Sequence, residues 1–354
     1  MNLRGKFFQI NLFIFLSFVP CLGQQKKNSK NTTSTNYRIM WYNTENFYDT
    51  FDDPLTDDNE FLPGSQHHWT MKRYKEKIEH IYKVIISNSP QPPVLIGLAE
   101  IENKKVLNDL IQTTPLIKFN YHFIHYDSPD PRGIDVALLY RQDLFRPIKN
   151  FPISVHFPFD LKRKTRDILY VKGIIGISDT IHVFVNHWPS RRGGENKSAP
   201  YRMYVARLLK SKTDSVFNSF QDSKILIIGD FNDEPDDESI VLGLKALAYK
   251  GAAEKSKLYD LSFTWLKNTI SIGTSKYKGQ WSVIDQIIVS SALLDKKIKG
   301  IKCLPASAKI DTSQYLLKDD NIYSGEIPYR TYSGYKYIGG FSDHLPIYLD
   351  FSIK

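Results

Sequence analysis

Short apolar runs, rich in β-branched residues, recur along this chain, and polar residues close each one. Runs of about 4–8 such residues between turn signals read as strands. They fall at Arg38–Tyr42, Val94–Ala99, His122–His125, Val136–Tyr140, Ile168–Ile175, Ile181–Val185, Lys224–Ile228, Val283–Val289 and Leu345–Phe351. A helical period predicts a helix over Met71–Ile86, where Met71, Tyr74, Ile78, Ile81, Tyr82 and Ile85 share a face. Further helices are expected from about Tyr201 to Phe217, at Lys104–Ile111 and at Glu238–Leu244. Strands and helices mixed along the whole chain predict an α/β (α+β) class, without fixing topology. Residues 49–68 are acidic and turn-rich, and residues 303–340 carry many Tyr and Lys, so both are expected to be excursions around a core.

The start of the chain has a different pattern. Arg4 and Lys6 precede an apolar run, Phe7–Val19, broken only by Gln9, Asn11 and Ser17. This predicts a signal peptide over residues 1–23, cut after Gly23, and an exported protein, periplasmic or secreted. The run falls short of the roughly 20 residues a spanning helix needs, so no stable membrane span is expected. Cys21 offers lipoprotein anchoring as an alternative, disfavoured because Pro20 is a poor substitute for the small residue such signals use. From Gln24 to Asn36 no apolar residue occurs, which predicts a polar linker before one catalytic domain over residues 37–354, expected as a monomer. Hydrophobic residues at 42% and charged residues at 24% are ordinary for a globular core. Beyond Gly23 only Cys303 remains, so no internal disulfide is expected and Cys303 reads as a small buried residue. The net charge is +9, and without Arg4 and Lys6 the 45 basic against 38 acidic residues leave +7. Such a charge favours polyanionic partners, though charge alone is weak evidence for nucleic acid.

Candidate chemistry lies where the apolar runs stop. Asn43 and Glu45 follow the first run, Glu100 and Glu102 the second, and His187 the Ile181–Val185 run. Gly229-Asp230-Phe231-Asn232 ends another, Asp285 opens one, and Ser342-Asp343-His344-Leu345-Pro346 opens the last. Any one of these polar residues reads as a turn cap. Six such places in one chain point instead to a shared site. Carboxylates with Asn carbonyls form a hard-ligand set suited to Mg²⁺, Mn²⁺ or Ca²⁺. No Cys cluster or His-Glu-x-x-His motif is present to suggest zinc.

Taken in order, these segments resemble the endonuclease/exonuclease/phosphatase superfamily, the group of DNase I and exonuclease III, from Asn43 to Pro346. The resemblance implies a four-layer αββα sandwich of two packed mixed β-sheets flanked by helices. It implies Glu100 as direct metal ligand, with Asn43, Glu45 and Asp343 in the metal shell. Asp230 and Asn232 match the pair that positions water and phosphate, His344 the essential histidine, and Asp285 its orienting carboxylate. His187 matches the second histidine of the DNase I-like branch, and Asp127 is a possible partner for it. Arg132 is a candidate phosphate contact. Arg191 and Arg192, directly after the histidine motif, are expected to bind substrate phosphate. Arg166, in a basic run, and the Lys and Arg residues of Met71–Ile86 are expected to be solvated. The function implied is an exported Mg²⁺-dependent phosphodiesterase, with nucleic acid as first substrate. Phospholipid head groups or inositol phosphates are the alternative, and a non-catalytic binding module the remaining reading.

Overall fold

A computed structural model describes Met1 and residues 36–87, 89–266 and 272–352. The expected signal peptide, and the linker except Asn36, therefore lie outside the described residues, Met1 apart.

Two seven-stranded sheets organise the chain. In the first, the order is Lys302–Cys303, Ile347–Ser352, Asn36–Phe47, Leu95–Ile101, Asp135–Arg141, Tyr121–His125, with Lys309–Ile310 also paired to Ile347–Ser352. Asn36–Phe47 and Leu95–Ile101 run parallel, and the other pairs are antiparallel. In the second, the order is Phe145–Ile153, Ile168–Ile175, Asp179–His187, Lys224–Asp230, Asp285–Ser290, Leu258–Asp260, Ala246–Ala248. Here Asp179–His187 and Lys224–Asp230 run parallel, and Asp285–Ser290 returns antiparallel.

The strands read as near-continuous apolar runs because both faces of each sheet are covered. Ile39, Trp41, Leu95, Leu138, Val183, Ile228 and Val289 fill the space between the sheets. Met40, Leu98 and Leu139 face outward onto the helices Met71–Ser87 and Lys104–Gln112. Phe184, Ile225 and Ile227 pack against the helix Glu195–Ser219. The result is the four-layer order expected, helix, sheet, sheet, helix. Gly97 marks where the sheets press together, since a Cβ there would sit 2.7 Å from the Ile228 side chain and 2.9 Å from Trp41.

The elements differ from the sequence reading at proline. Phe145–Ile153 is a strand that the reading omitted. Pro147 and Pro152 interrupt its pattern, and it tolerates them because it lies at the sheet edge, with a register shift between Pro147 and Lys149. The third helix begins at Glu195 and runs through Pro200, six residues ahead of the expected start at Tyr201. Residues 303–340 form short pairs, Leu317–Asp319 with Glu326–Pro328 and Tyr332–Ser333 with Lys336–Tyr337. Cys303 is buried. No helix among the described residues is long and apolar enough to cross a membrane.

Candidate active site

Strand register brings the polar residues to one edge of the sandwich. His187 and Asp230 are cross-strand neighbours at the ends of two parallel strands, and Asp285 faces Asp230 from the start of the antiparallel third. From the other sheet, Asn43 is paired with Ala99, one residue before Glu100. Both of those strands shift register there, and Glu45 and Glu100 adopt left-handed backbone, with φ of 53° and 60°. Asn232, just past Asp230, is also left-handed, with φ of 52°. Such a conformation costs a non-glycine residue about 1 kcal/mol or more and must be offset by local bonds. The Glu45 amide donates to Asn43 Oδ1 (3.0 Å), the Asn46 amide to Glu100 Oε2 (2.8 Å) and the Asn232 amide to Asp230 Oδ1 (2.9 Å).

His344 and Asp285 form the tightest unit. His344 Nδ1 lies 2.7 Å from Asp285 Oδ2, while the Trp41 indole donates to Oδ1 at 2.7 Å. His344 Nε2 is then left toward Asp230 Oδ2, 3.8 Å away. Asn43 Nδ2 donates to that same Asp230 oxygen (3.1 Å), and His187 Nε2 lies 3.6 Å from it. Glu100 Oε1 sits 4.0 Å from His187 Nε2 and 3.8 Å from Arg132 Nη2. Asn232 Nδ2 donates to the Trp188 carbonyl (3.1 Å), tying the two strand ends together.

Charge is strongly uneven across this edge. Burial disfavours the imidazolium of His344, but Asp285, Asp230 and Asp343 outweigh it and hold its pKa well above the ordinary value. His187 goes the opposite way: burial, reinforced by Arg166 and Arg132, holds it well below. The two histidines are thus set to opposite charge states, His344 protonated and His187 neutral. Burial, with Asp285 nearby, pushes Asp230 up to about 7 although His344 opposes it. Glu45 is also pushed up to about 7, by burial and then by Asp343.

Several sequence expectations need correction. Arg166 is not solvated: it is buried, 2.9 Å from Asp130 Oδ2, and donates to the Trp188 carbonyl at 2.6 Å. It thereby fastens the turn carrying Arg132 to the His187 strand end, since Asp130 Oδ1 also accepts the Arg132 amide. Asp127 does not meet His187; it is exposed and lies 3.7 Å from His125, and His187 Nδ1 is buried with no hydrogen-bond partner among the described residues. Arg191 has no free fork for phosphate. Its Nε donates to the Asn232 carbonyl (2.7 Å), and its Nη2 lies 2.7 Å from Asp237 and 3.3 Å from Asp233. Arg192 is exposed beside it. Glu45 has both oxygens engaged, with the Thr331 amide (2.6 Å) and Arg330 Nε (3.4 Å), so it braces the Arg330 segment and is poorly placed as a free metal ligand. Lys77, on the helix face expected to be solvated, is buried and donates to Thr331 Oγ1 and the Phe341 carbonyl, both at 2.7 Å.

Arg330 was missed altogether. It is partly exposed, and its Nη2 lies 2.8 Å from Asp343 Oδ2. Despite burial, Arg330 and then His344 hold the Asp343 carboxyl below the ordinary range. Only its place two residues before the Tyr332–Ser333 pair marks it in the sequence, and nothing periodic singles it out.

What the residues leave open suits a hard cation. Glu100 Oε2 is bonded, whereas its Oε1 has no hydrogen-bond donor among the described residues and faces the site. Asp343 gives one oxygen to Arg330, leaving the other. Asp230, Asp285 and His344 also place ligand-type atoms within 4.8 Å of one another, but Asp285 is saturated by Trp41 and His344 and acts as an orienting group.

The sequence matches, over residues 38–352, the model of a family described as the endonuclease/exonuclease/phosphatase family. No curated protein matches it significantly. Among solved structures, it is similar to humanized TDP2 of D. rerio at a TM-score of 0.54 and 13% identity, covering 89% of this chain and 98% of that one. The human Nocturnin catalytic domain with bound sulfate matches at a TM-score of 0.52 and 15% identity, covering 90% and 94%. An endonuclease/exonuclease/phosphatase family protein of Bacteroides thetaiotaomicron matches at a TM-score of 0.52 and 15% identity, covering 91% and 99%. At these identities the likeness speaks for the fold.

Proposed function

The chain belongs to the endonuclease/exonuclease/phosphatase family of metal-dependent phosphoric ester hydrolases, and from that premise we propose that it is an exported, Mg²⁺-dependent nuclease. The observation that carries the reading is the His344–Asp285 pair aimed at Asp230, beside the open oxygen of Glu100. Phosphodiester hydrolysis needs a positioned water, neutralised phosphoryl oxygens and an orienting scaffold. Glu100, Asn43 and the free oxygen of Asp343 would hold the cation, and a bound Mg²⁺ would supply Lewis-acid stabilisation of the phosphoryl charge.

This chain's own residues do the rest. Asp230, raised in pKa and touching Asn43, orients the attacking water and takes its proton. Protonated His344, held by Asp285 through Nδ1, donates its Nε2–H to a phosphoryl oxygen. Neutral His187 and Arg132 flank Glu100, where Arg132 contributes positive charge. Asn232, fixed by Trp188, sets the phosphate's orientation. Arg192 reaches the substrate from the rim.

Nucleic acid is favoured by the basic chain and by the fold neighbour from D. rerio, TDP2, whose structure is complexed with a single strand DNA product. Export, with the leader over residues 1–23, rests on the basic-apolar-small pattern alone. A lipid-cleaving reading has one observation behind it: the turn after Leu317–Asp319 exposes Ile322, 82% accessible, and Tyr323. The deciding experiment assays the mature protein with Mg²⁺ on single-stranded DNA, RNA, sphingomyelin vesicles and inositol phosphates. Turnover of DNA or RNA is expected; turnover confined to vesicles or inositol phosphates would overturn the nuclease assignment.

A further inference from the structure

A groove of about 680 Å³ lies on the outer face of the second sheet, between the strands Phe145–Ile153, Ile168–Ile175 and Asp179–His187 and the end of the helix Glu195–Ser219. The catalytic edge is elsewhere. His182 in the groove is five residues before His187, or roughly 17 Å along the strand at about 3.3 Å per residue.

Two rungs cross the floor. Phe151, Tyr170 and Phe184 are cross-strand neighbours, with ring centroids 4.8 and 5.0 Å apart. The adjoining rung is Lys149, Lys172 and His182. Two lysines directly opposite one another repel and destabilise a strand pair. Here no acidic group relieves them: neither Lys149 nor Lys172 forms an ion pair among the described residues. The acidic lining residue Asp222 lies 3.5 Å from Lys255. Lys212 adds a third cation from the helix, also without an ion pair among the described residues. A lysine on an exposed edge strand is ordinary protection against edge pairing. That does not account for a second lysine on the inner neighbour or a third on the helix, nor for aromatic rings beside them.

We propose that this groove is a second ligand site, which takes a nucleoside phosphate with its base against Phe151, the exposed ring of that rung, and its phosphate on Lys149, Lys172 and Lys212. Stacking platforms beside cationic grooves are how proteins hold single-stranded nucleic acid without reading its sequence. A free nucleotide and a nucleotide within a strand share this chemistry, and the test separates them.

The test titrates the full chain, in excess chelator so that nothing is hydrolysed, with adenosine monophosphate and with a short single-stranded DNA oligonucleotide. Wild type is compared with the double variant Lys149→Ala/Lys172→Ala and with Phe151→Ala, after thermal melting shows that both variants fold. Loss of one stacking partner at about 1–3 kcal/mol weakens binding by about 5–150-fold, and the double variant should lose at least as much. Weakening for both probes would assign the site to free nucleotides. Weakening for the oligonucleotide alone would assign it to a strand. Unchanged affinity of folded variants for both probes would overturn the proposal, whatever the catalytic site does, because ligand held there is untouched by these substitutions.

Discussion

Asp285 gives one carboxylate oxygen to His344 and the other to the Trp41 indole, so its orientation is fixed from two sides. His344→Ala removes the group that faces the phosphate, and Asp285→Asn removes the charge that keeps the imidazole protonated. Each should lower kcat by about 10²–10³, the loss expected for one hydrogen-bond donor to the reacting phosphoryl group. The double variant should lose far less than the product of the two, because residues acting as one unit are non-additive. Steady-state kcat for the two singles and the double checks this, and multiplicative losses would show the pair to be independent. The two arginines after His187 should separate. Arg191, bonded to Asn232, Asp233 and Asp237, should cost stability when changed to Ala, seen as a lower Tm; Arg192→Ala should leave Tm alone and raise KM. Equal Tm for both variants would contradict this. Asp230, Asp285 and His344 were legible in the sequence because strand ends concentrate them. Trp41, Arg166 and Arg330 were not, because an indole reads as core and an arginine in a loop reads as solvated, whereas all three owe their roles to contacts far away in sequence, Arg330 through Glu45.

At the scale of elements, the segment from Tyr329 to Phe341 is secured from beneath by one buried cation. Lys77 donates to Thr331 and Phe341 from the helix Met71–Ser87, and Glu45 accepts the Thr331 amide from a bulged strand. Burial brings Lys77 down to about 8, although Glu45 and Asp343 favour its charge. Lys77→Met keeps the volume and strips two partners, so it should cost about 1–3 kcal/mol per group left unsatisfied. Denaturant unfolding should show a lower midpoint, and hydrogen exchange should quicken over residues 329–341. Unchanged stability would mean that the segment is held by other contacts. Helix periodicity placed this helix correctly but assigned Lys77 to its solvated face, since the pattern cannot see a long loop folding back over it. The same limit hid Phe145–Ile153, whose prolines mask a strand that only an edge position permits.

At the scale of the whole molecule, the sandwich buries ionisable groups away from the site as well. Asp260 is fully buried, and burial lifts it to about 7 although Ser262 opposes the shift; its Oδ2 has no hydrogen-bond partner among the described residues. Its folded pKa lies above the unfolded value, so the folded state binds more protons between about pH 4 and 7. Stability from this group should therefore be fully present below about pH 4 and fall as pH rises toward 7, by up to about 1.4 kcal/mol per pH unit. Asp260→Asn should flatten that dependence in denaturant melts, and an unaltered pH profile would show that Asp260 is ionised in the fold. The same sandwich brings Glu100 and Asn43 from one sheet against Asp230, Asp285 and His187 from the other, so the site exists only when both sheets are docked. The most direct test of the central claim is the hydrolysis rate of single-stranded DNA by the metal-free protein, measured in excess EDTA and again after Mg²⁺ is restored. The account predicts no turnover with chelator and recovery with Mg²⁺; full turnover in excess chelator would contradict it.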